Sequence, residues 1–202
     1  MKIFRMATIS ISLLILGLLT FTQVSITYGK ENLDPLGLSL KNASVKAMLD
    51  TIAFAESTMN DQGYQTQFGF QYFNDLTDHP RRIICKKSNG DWLCSSAAGR
   101  YQIIQKTWDR VAKKINAHNF SPYEQDRAAV HLLEKSDALA RIKKGFLSFT
   151  QFKKVLSLIN PIWASLPGSP YGQPTRSAKE LYMVYVEQFK KYMKNQTSYP
   201  SY

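Results

Sequence analysis

The chain has 202 residues, with 26 Lys and Arg against 15 Asp and Glu, and a formal net charge of +11. That excess points to an anionic partner (nucleic acid, a lipid surface or an acidic polymer), although solubility alone also accounts for it. No internal repeat, low-complexity segment, phosphate loop or nucleotide fingerprint is present, which excludes solenoid and nucleotide-binding classes.

Residues 1–29 read as a signal peptide. Lys2 and Arg5 form a positive n-region, residues 6–21 are apolar with scattered Ser and Thr, and Thr27 and Gly29 supply small residues for cleavage. The apolar run falls short of the about 20 residues that a spanning helix needs. Cleavage after Gly29 is therefore expected, with a retained N-terminal anchor as the alternative. Residues 30–195 are expected to form a single domain and residues 196–202 a disordered tail. Without Lys2 and Arg5 there remain 24 basic residues against all 15 acidic ones, a net charge near +9. A periplasmic or secreted location follows as the expectation, and export argues against a nucleic-acid partner.

The first helix pattern runs from Asn42 to Thr58. Val45, Met48, Leu49 and Ile52 recur at three- and four-residue intervals and mark one buried stripe. Glu56 lies four residues beyond Ile52, on that same stripe. A carboxyl group on a buried stripe is either paired with a cation or held partly protonated. Burial and the negative end of the helix dipole both push its pKa up, toward roughly 6, as a general acid requires. The plainer reading is a salt-bridged residue at the edge of the stripe.

Residues 63–96 are rich in Gly, aromatics and Thr and read as irregular strands and hairpins. Cys85 and Cys94 flank Asn89-Gly90, the strongest two-residue hairpin signal. With that turn, Ser88 faces Asp91, Lys87 faces Trp92, Lys86 faces Leu93, and Cys85 faces Cys94. Alternation puts the cysteines in a non-hydrogen-bonded pair, about 4.5 Å apart at Cα, within reach of a disulfide. A Cys85–Cys94 bridge is predicted, as suits an oxidising compartment.

Downstream the pattern turns helical. Gln105 to Ile115 is one candidate, and Ser121-Pro-Tyr-Glu124 opens another with a capping box, running to about Lys135. Ser136 to Lys144 and Ser148 to Ile159 follow, each started by a Ser. A Pro- and Gly-rich loop spans residues 160–176, and Ser177 to about Lys194 forms the last helix. The architecture is α+β, mainly helical with a small β-lobe and a cleft between the lobes, and Glu56 is placed at the cleft floor.

Three segments look unlike ordinary packing: Phe73 to Arg81, dense in turn-forming polar groups; Ser96 to Ile103, small residues before a helix; and Trp163 to Pro174, a stiff aromatic loop. Their structural readings are a turn, a helix lead-in and a connection. Taken in order, Asp78-His-Pro-Arg81, Ala98-Gly-Arg-Tyr-Gln102, Phe120-Ser-Pro122 with Gln125-Asp126, and Ile162-Trp-Ala-Ser-Leu-Pro-Gly168 with Tyr171-Gly-Gln173 resemble the lambda-type lytic transglycosylases, the lambda lysozyme family of endolysins. The resemblance extends from about Ala47 to Gly172.

It implies a lysozyme-like fold and cleavage of peptidoglycan glycan strands. By the same resemblance Glu56 is the catalytic glutamate. Gly99, Arg100, Tyr101 and Gln102 build the cleft wall facing the sugar chain, Tyr171 is a saccharide contact, and Gln65 and Tyr72 are further candidate contacts. Gln65 stands where phage members carry an acidic residue, and the loop between Glu56 and Gly63 is shorter here. The Cys85–Cys94 hairpin has no counterpart in the phage enzyme.

In such enzymes one glutamic acid protonates the glycosidic oxygen between N-acetylmuramic acid and N-acetylglucosamine. It then takes the proton from the muramoyl C6 hydroxyl, giving a 1,6-anhydro sugar. A hydrolytic muramidase on the same fold needs a second carboxylate, for which Asp61, Asp75 and Asp78 are candidates, with turn capping as the plainer reading of the last two. A non-catalytic wall-binding module is the third reading. His79, His118 and His131 do not have metal-site spacing. The expectation is an enzyme without cofactor or metal, acting as a monomer on an anionic bacterial cell wall, with no membrane contact beyond the export signal.

Overall fold

The computed structural model describes residues 34–88 and 90–197; the signal segment, Asn89 and residues 198–202 lie outside the described part. Helix α1, Pro35–Ser39, is short and starts at Asp34, whose side chain accepts from the backbone N–H of Gly37. Helix α2, Ala43–Ala55, is capped by the side chain of Asn42, which accepts from the N–H groups of Ser44 and Val45. The expected apolar stripe is there, but 11 of the 13 residues of α2 are buried. A helix covered on every side is the centre of a bundle rather than one of its walls.

Its polar residues accordingly find partners. The Ser44 hydroxyl lies 2.7 Å from the Tyr185 hydroxyl, and Thr51 Oγ1 donates to the Ala47 carbonyl at 2.7 Å. Helix α7, Ala178–Thr197, packs along α2, while α4, Pro122–Lys135, and α5, Ala138–Ile142, cover other faces. Helices α3, Gln105–Ile115, and α6, Phe149–Ile159, complete the helical part. Trp108, Phe120, Phe152 and Leu133 are among the fully or almost fully buried side chains of the common core.

The β-region is slight. Strands β1, Thr66–Gln67, and β2, Gln71–Tyr72, pair antiparallel after a 3-10 turn at Gly63–Gln65. Strands β3, Ile84–Ser88, and β4, Asp91–Ser95, form a separate two-stranded sheet. Its register is the predicted one: Cys85 faces Cys94, Lys87 faces Trp92 and Ser88 faces Asp91. Cys85 and Cys94 are disulfide-bonded, with Cα atoms 4.0 Å apart. Gly90 takes φ of +94°, the left-handed conformation that such a turn needs.

One cap and two helix boundaries differ from the expectation. The Ser121 hydroxyl caps Glu124 N–H, but the reciprocal capping box forms at Ser148 and Gln151; the Glu124 carboxylate is drawn instead to Arg127, 2.5 Å away. Ser136 closes α4 rather than opening α5, because Asp137 takes the left-handed conformation between the two helices. Helix α7 continues to Thr197, so the first residues of the expected tail are helical.

Candidate active site

Glu56 is the C-cap of α2, where the helix ends in a Schellman turn. Ser57 N–H donates to the Phe54 carbonyl at 3.0 Å and Thr58 N–H to the Ala53 carbonyl at 2.8 Å, the paired bonds that define this stop. Ser57 occupies the left-handed position at φ +60°, one that glycine usually fills. The Thr58 hydroxyl then donates to the Arg100 carbonyl and ties the turn to the 96–103 segment.

Glu56 is partly buried in this arrangement. Burial pushes its pKa from 4.5 up to about 7, and hydrogen bonds from the hydroxyl and the backbone N–H of Ser165 offset part of that rise. The Ser165 Oγ donates to Glu56 Oε1 at 2.6 Å. The groups that set this pKa include no second carboxylate. Asp75 accepts from the Thr77 N–H at 2.8 Å and from the Thr77 hydroxyl at 2.6 Å. Asp78 accepts from His79 N–H, Arg81 Nε and Trp108 Nε1, at 2.7, 2.8 and 3.1 Å. Both aspartates fix turns; the bonds from Thr77 lower the Asp75 carboxyl, and at Asp78 burial pushes up but the bonds outweigh it, so both lie below the ordinary range.

Ser165 comes from the 160–176 loop, which is anchored at several points. Trp163 Nε1 donates to the Tyr101 carbonyl at 3.0 Å, and Asn160 Nδ2 to the Pro167 carbonyl at 3.1 Å. Arg176 N–H donates to the Ser165 carbonyl at 3.2 Å, and its guanidinium lies 4.9 Å from the Phe54 ring centroid. Sequence reasoning placed Ser165 in a distinctive run without giving it a role. Its only signal was a hydroxyl within that run, and the contact to Glu56 spans 109 residues.

The other expected site residues separate into two groups. Tyr171 and Tyr72 are 56% exposed and remain available to a ligand; the Tyr171 hydroxyl donates to the Pro161 carbonyl at 2.7 Å. Gln65 is partly buried on the 3-10 turn. The remaining four, expected to build the wall facing the sugar, are tied into the framework behind the site by the following contacts. Tyr101 is 1% exposed, and its hydroxyl donates to Asp126 at 2.7 Å. Arg100 pairs with Asp50 at 2.7 Å, with side chains only 12% and 11% exposed. Gln102 Nε2 is shared between the Thr66 and Gly99 carbonyls, both at 3.0 Å. Gly99 sits at φ +75°, where a Cβ would come within 2.1 Å of Gln125 Oε1.

These residues belong to one buried polar network. Asp126 also accepts from the Tyr64 hydroxyl at 2.9 Å, Arg100 lies 5.2 Å from the Tyr64 ring centroid, and the Tyr192 hydroxyl donates to Asp50 at 2.7 Å. Burial raises the Asp126 pKa against the pull of its two tyrosine donors and Arg100. The network joins α2, the 96–103 segment, α4 and α7, and so holds in place the end of α2 that carries Glu56.

His79 is likewise structural. Its Nε2 lies 2.9 Å from the Ile103 carbonyl and its Nδ1 accepts from Arg81 N–H at 3.1 Å, which fixes the neutral tautomer with the proton on Nε2; burial lowers its pKa in agreement. Among the described residues, no three His, Cys, Asp or Glu side chains gather as a metal site.

The helical bundle, the small β-region and a largely buried glutamate at the end of the central helix define a lysozyme-like α+β protein. The family model for Endolysin matches residues 46–191, and the chain belongs to that family. It is 34% identical over 146 residues to the endolysin of Escherichia phage lambda, covering 69% of this chain and 87% of that one. It is 33% identical over 154 residues to the endolysin of Escherichia phage P2, covering 70% and 90% respectively. Bacteriophage lambda lysozyme complexed with a chitohexasaccharide superposes with a TM-score of 0.65 at 33% identity, over 73% of this chain and 94% of that one. A second structure of lysozyme from bacteriophage lambda gives 0.60 at 30% identity, over 75% and 94%.

Proposed function

We propose that this chain is an exported peptidoglycan lytic transglycosylase, cleaving the N-acetylmuramic acid–N-acetylglucosamine bond with Glu56 as its sole general acid and base. The observation that carries the reading is the placement of Glu56 at the buried end of α2, hydrogen-bonded by Ser165 Oγ at 2.6 Å, where burial raises its pKa to about 7 and no carboxylate contributes. A group half-protonated near neutral pH can give a proton to the glycosidic oxygen in one step and accept one from the C6 hydroxyl in the next. Hydrolysis with retention or inversion calls for a second carboxylate facing the first, and Asp75 and Asp78 are spent on their own turns. The chitohexasaccharide in the lambda lysozyme structure supports a glycan-chain substrate. The positive n-region, the apolar run and the disulfide support export to the periplasm or beyond.

Digestion of purified peptidoglycan followed by mass analysis of the muropeptides tests this reading. Anhydro products, lighter by one water, are expected. Fully hydrated reducing ends mark a muramidase instead. Glycan cleavage by Glu56→Gln at the wild-type rate removes the glutamate from the mechanism altogether.

A further inference from the structure

The end of α2 opposite Glu56 carries a surface of a different kind. From Ala138 through Lys179 the chain has no Asp or Glu and seven Lys or Arg residues. Four of these, Lys143, Lys144, Lys153 and Lys154, are exposed on the connection from α5 to α6 and on α6 itself. Among them stand Phe146 and Phe149, 50% and 37% exposed. Asn42, the N-cap of α2, donates from Nδ2 to the Lys143 carbonyl at 3.4 Å. The surface therefore adjoins the start of α2, about 20 Å from Glu56 at 1.5 Å per helical residue.

Two features set it apart from an ordinary solvated charged face. The exposed rings rest on an aromatic floor. Phe146 lies 6.0 Å from Tyr185 and 5.2 Å from Phe189, and Phe149 lies 5.1 Å from Tyr182 with Lys153 Nζ 5.1 Å from the Phe149 ring centroid. The rings are held in place while part of each stays open to solvent, an arrangement that favours contact with a second apolar phase. The acidic residues of the adjoining elements also fall away from it. At 100° per residue, Glu180 and Glu187 of α7 lie opposite Phe189 and Tyr182, whereas Lys179 and Lys190 lie on the flank nearer those rings. Asp137 sits at the far end of α5.

We propose that this surface docks onto an anionic phospholipid bilayer. The lysines pair with headgroup phosphates, and Phe146 and Phe149 enter the boundary between headgroups and acyl chains. A soluble polyanion would satisfy the lysines but offers the two rings nothing apolar, which is why the lipid surface is the better fit. Docking through this end leaves Glu56 about 20 Å away along α2, free to reach a polymer lying off the membrane. The contact is peripheral, since no described helix is long and apolar enough to cross a membrane. It goes beyond the expectation, which held no membrane contact other than the export signal.

The test uses the full chain carrying Phe146→Trp, with phosphatidylglycerol-containing vesicles whose acyl chains are brominated. The substituted ring reports locally, so attachment through residues 6–21 does not mimic its signal. The expected result is quenching beyond that of wild type, whose own three tryptophans set the baseline. Each lysine at an anionic surface contributes about fivefold in affinity. Adding Lys143→Glu, Lys144→Glu, Lys153→Glu and Lys154→Glu should therefore raise the lipid concentration for half-maximal quenching by at least about 100-fold. Circular dichroism checks that these surface variants fold. No quenching above wild type overturns the proposal, as does quenching that survives charge reversal. Binding to inorganic polyphosphate without lipid quenching identifies a polyanion site instead and overturns it too.

Discussion

Ser165 donates its hydroxyl to Glu56 Oε1 at 2.6 Å, across 109 residues of sequence. A donor favours the charged carboxylate and so works against burial. In Ser165→Ala the Glu56 pKa rises beyond about 7, and the alkaline limb of the pH–rate profile moves to higher pH. Loss of positioning lowers kcat by about tenfold. Profiles of both proteins on peptidoglycan check this, and an unmoved alkaline limb shows that Ser165 does not tune the acid.

The same pKa makes a prediction about stability. Glu56 has a pKa of about 7 in the folded protein against 4.5 for the free group, so between those values the folded state holds a proton that the unfolded state has released. Its contribution is least unfavourable below the lower value and worsens as pH rises through the upper one, by at most about 3 kcal/mol. Glu56→Gln removes that dependence. The variant should match wild type near pH 4 and exceed it by about 1–3 kcal/mol near pH 8. Urea midpoints at the two pH values decide the matter.

Tyr101 offers a direct test of whether the 99–102 run is framework or sugar contact. Tyr101→Phe keeps the ring in its buried place and removes one of the two tyrosine donors to Asp126. A buried acceptor deprived of a donor costs about 1–3 kcal/mol. The thermal midpoint should fall, with KM unchanged for soluble glycan fragments. A raised KM with unchanged stability would return Tyr101 to the sugar contacts.

The stapled hairpin predicts a local response to reduction. Among the described residues strands β3 and β4 pair only with each other, and both cysteines are exposed. An isolated two-stranded hairpin is marginal in water, and closing a loop of this size contributes about 2–3 kcal/mol. Reduction should speed amide exchange over residues 84–95 while Trp108 and its neighbours in α3 stay protected. Global unfolding on reduction would contradict this picture.

What the sequence revealed follows the range of the forces involved. Helix α6 begins just after Ser148 as expected, because a cap acts within one turn. The hairpin register was legible because a two-residue turn determines every pair beyond it. Helix α1 was missed, since five residues are too few for a periodic signal. The bonds of Arg100 to Asp50 and of Tyr101 to Asp126 were not legible, because the partners lie 50 and 25 residues away. No local pattern announces such a pair. Glu56 stood out early for the opposite reason, as a carboxyl on an apolar stripe.

The two clamped ends of α2 also bear on how such a chain can change. Asn42 is tied to the Lys143 carbonyl at one end, and the turn after Glu56 is tied to the Arg100 carbonyl at the other. One residue inserted between them would swing the carboxyl by about 100° and displace it about 1.5 Å, out of reach of Ser165. Side chains along α2 can be exchanged for others of similar volume, but its residue count behaves as a ruler. Insertions and deletions are tolerable just beyond it, in the 59–62 turn, and not within it.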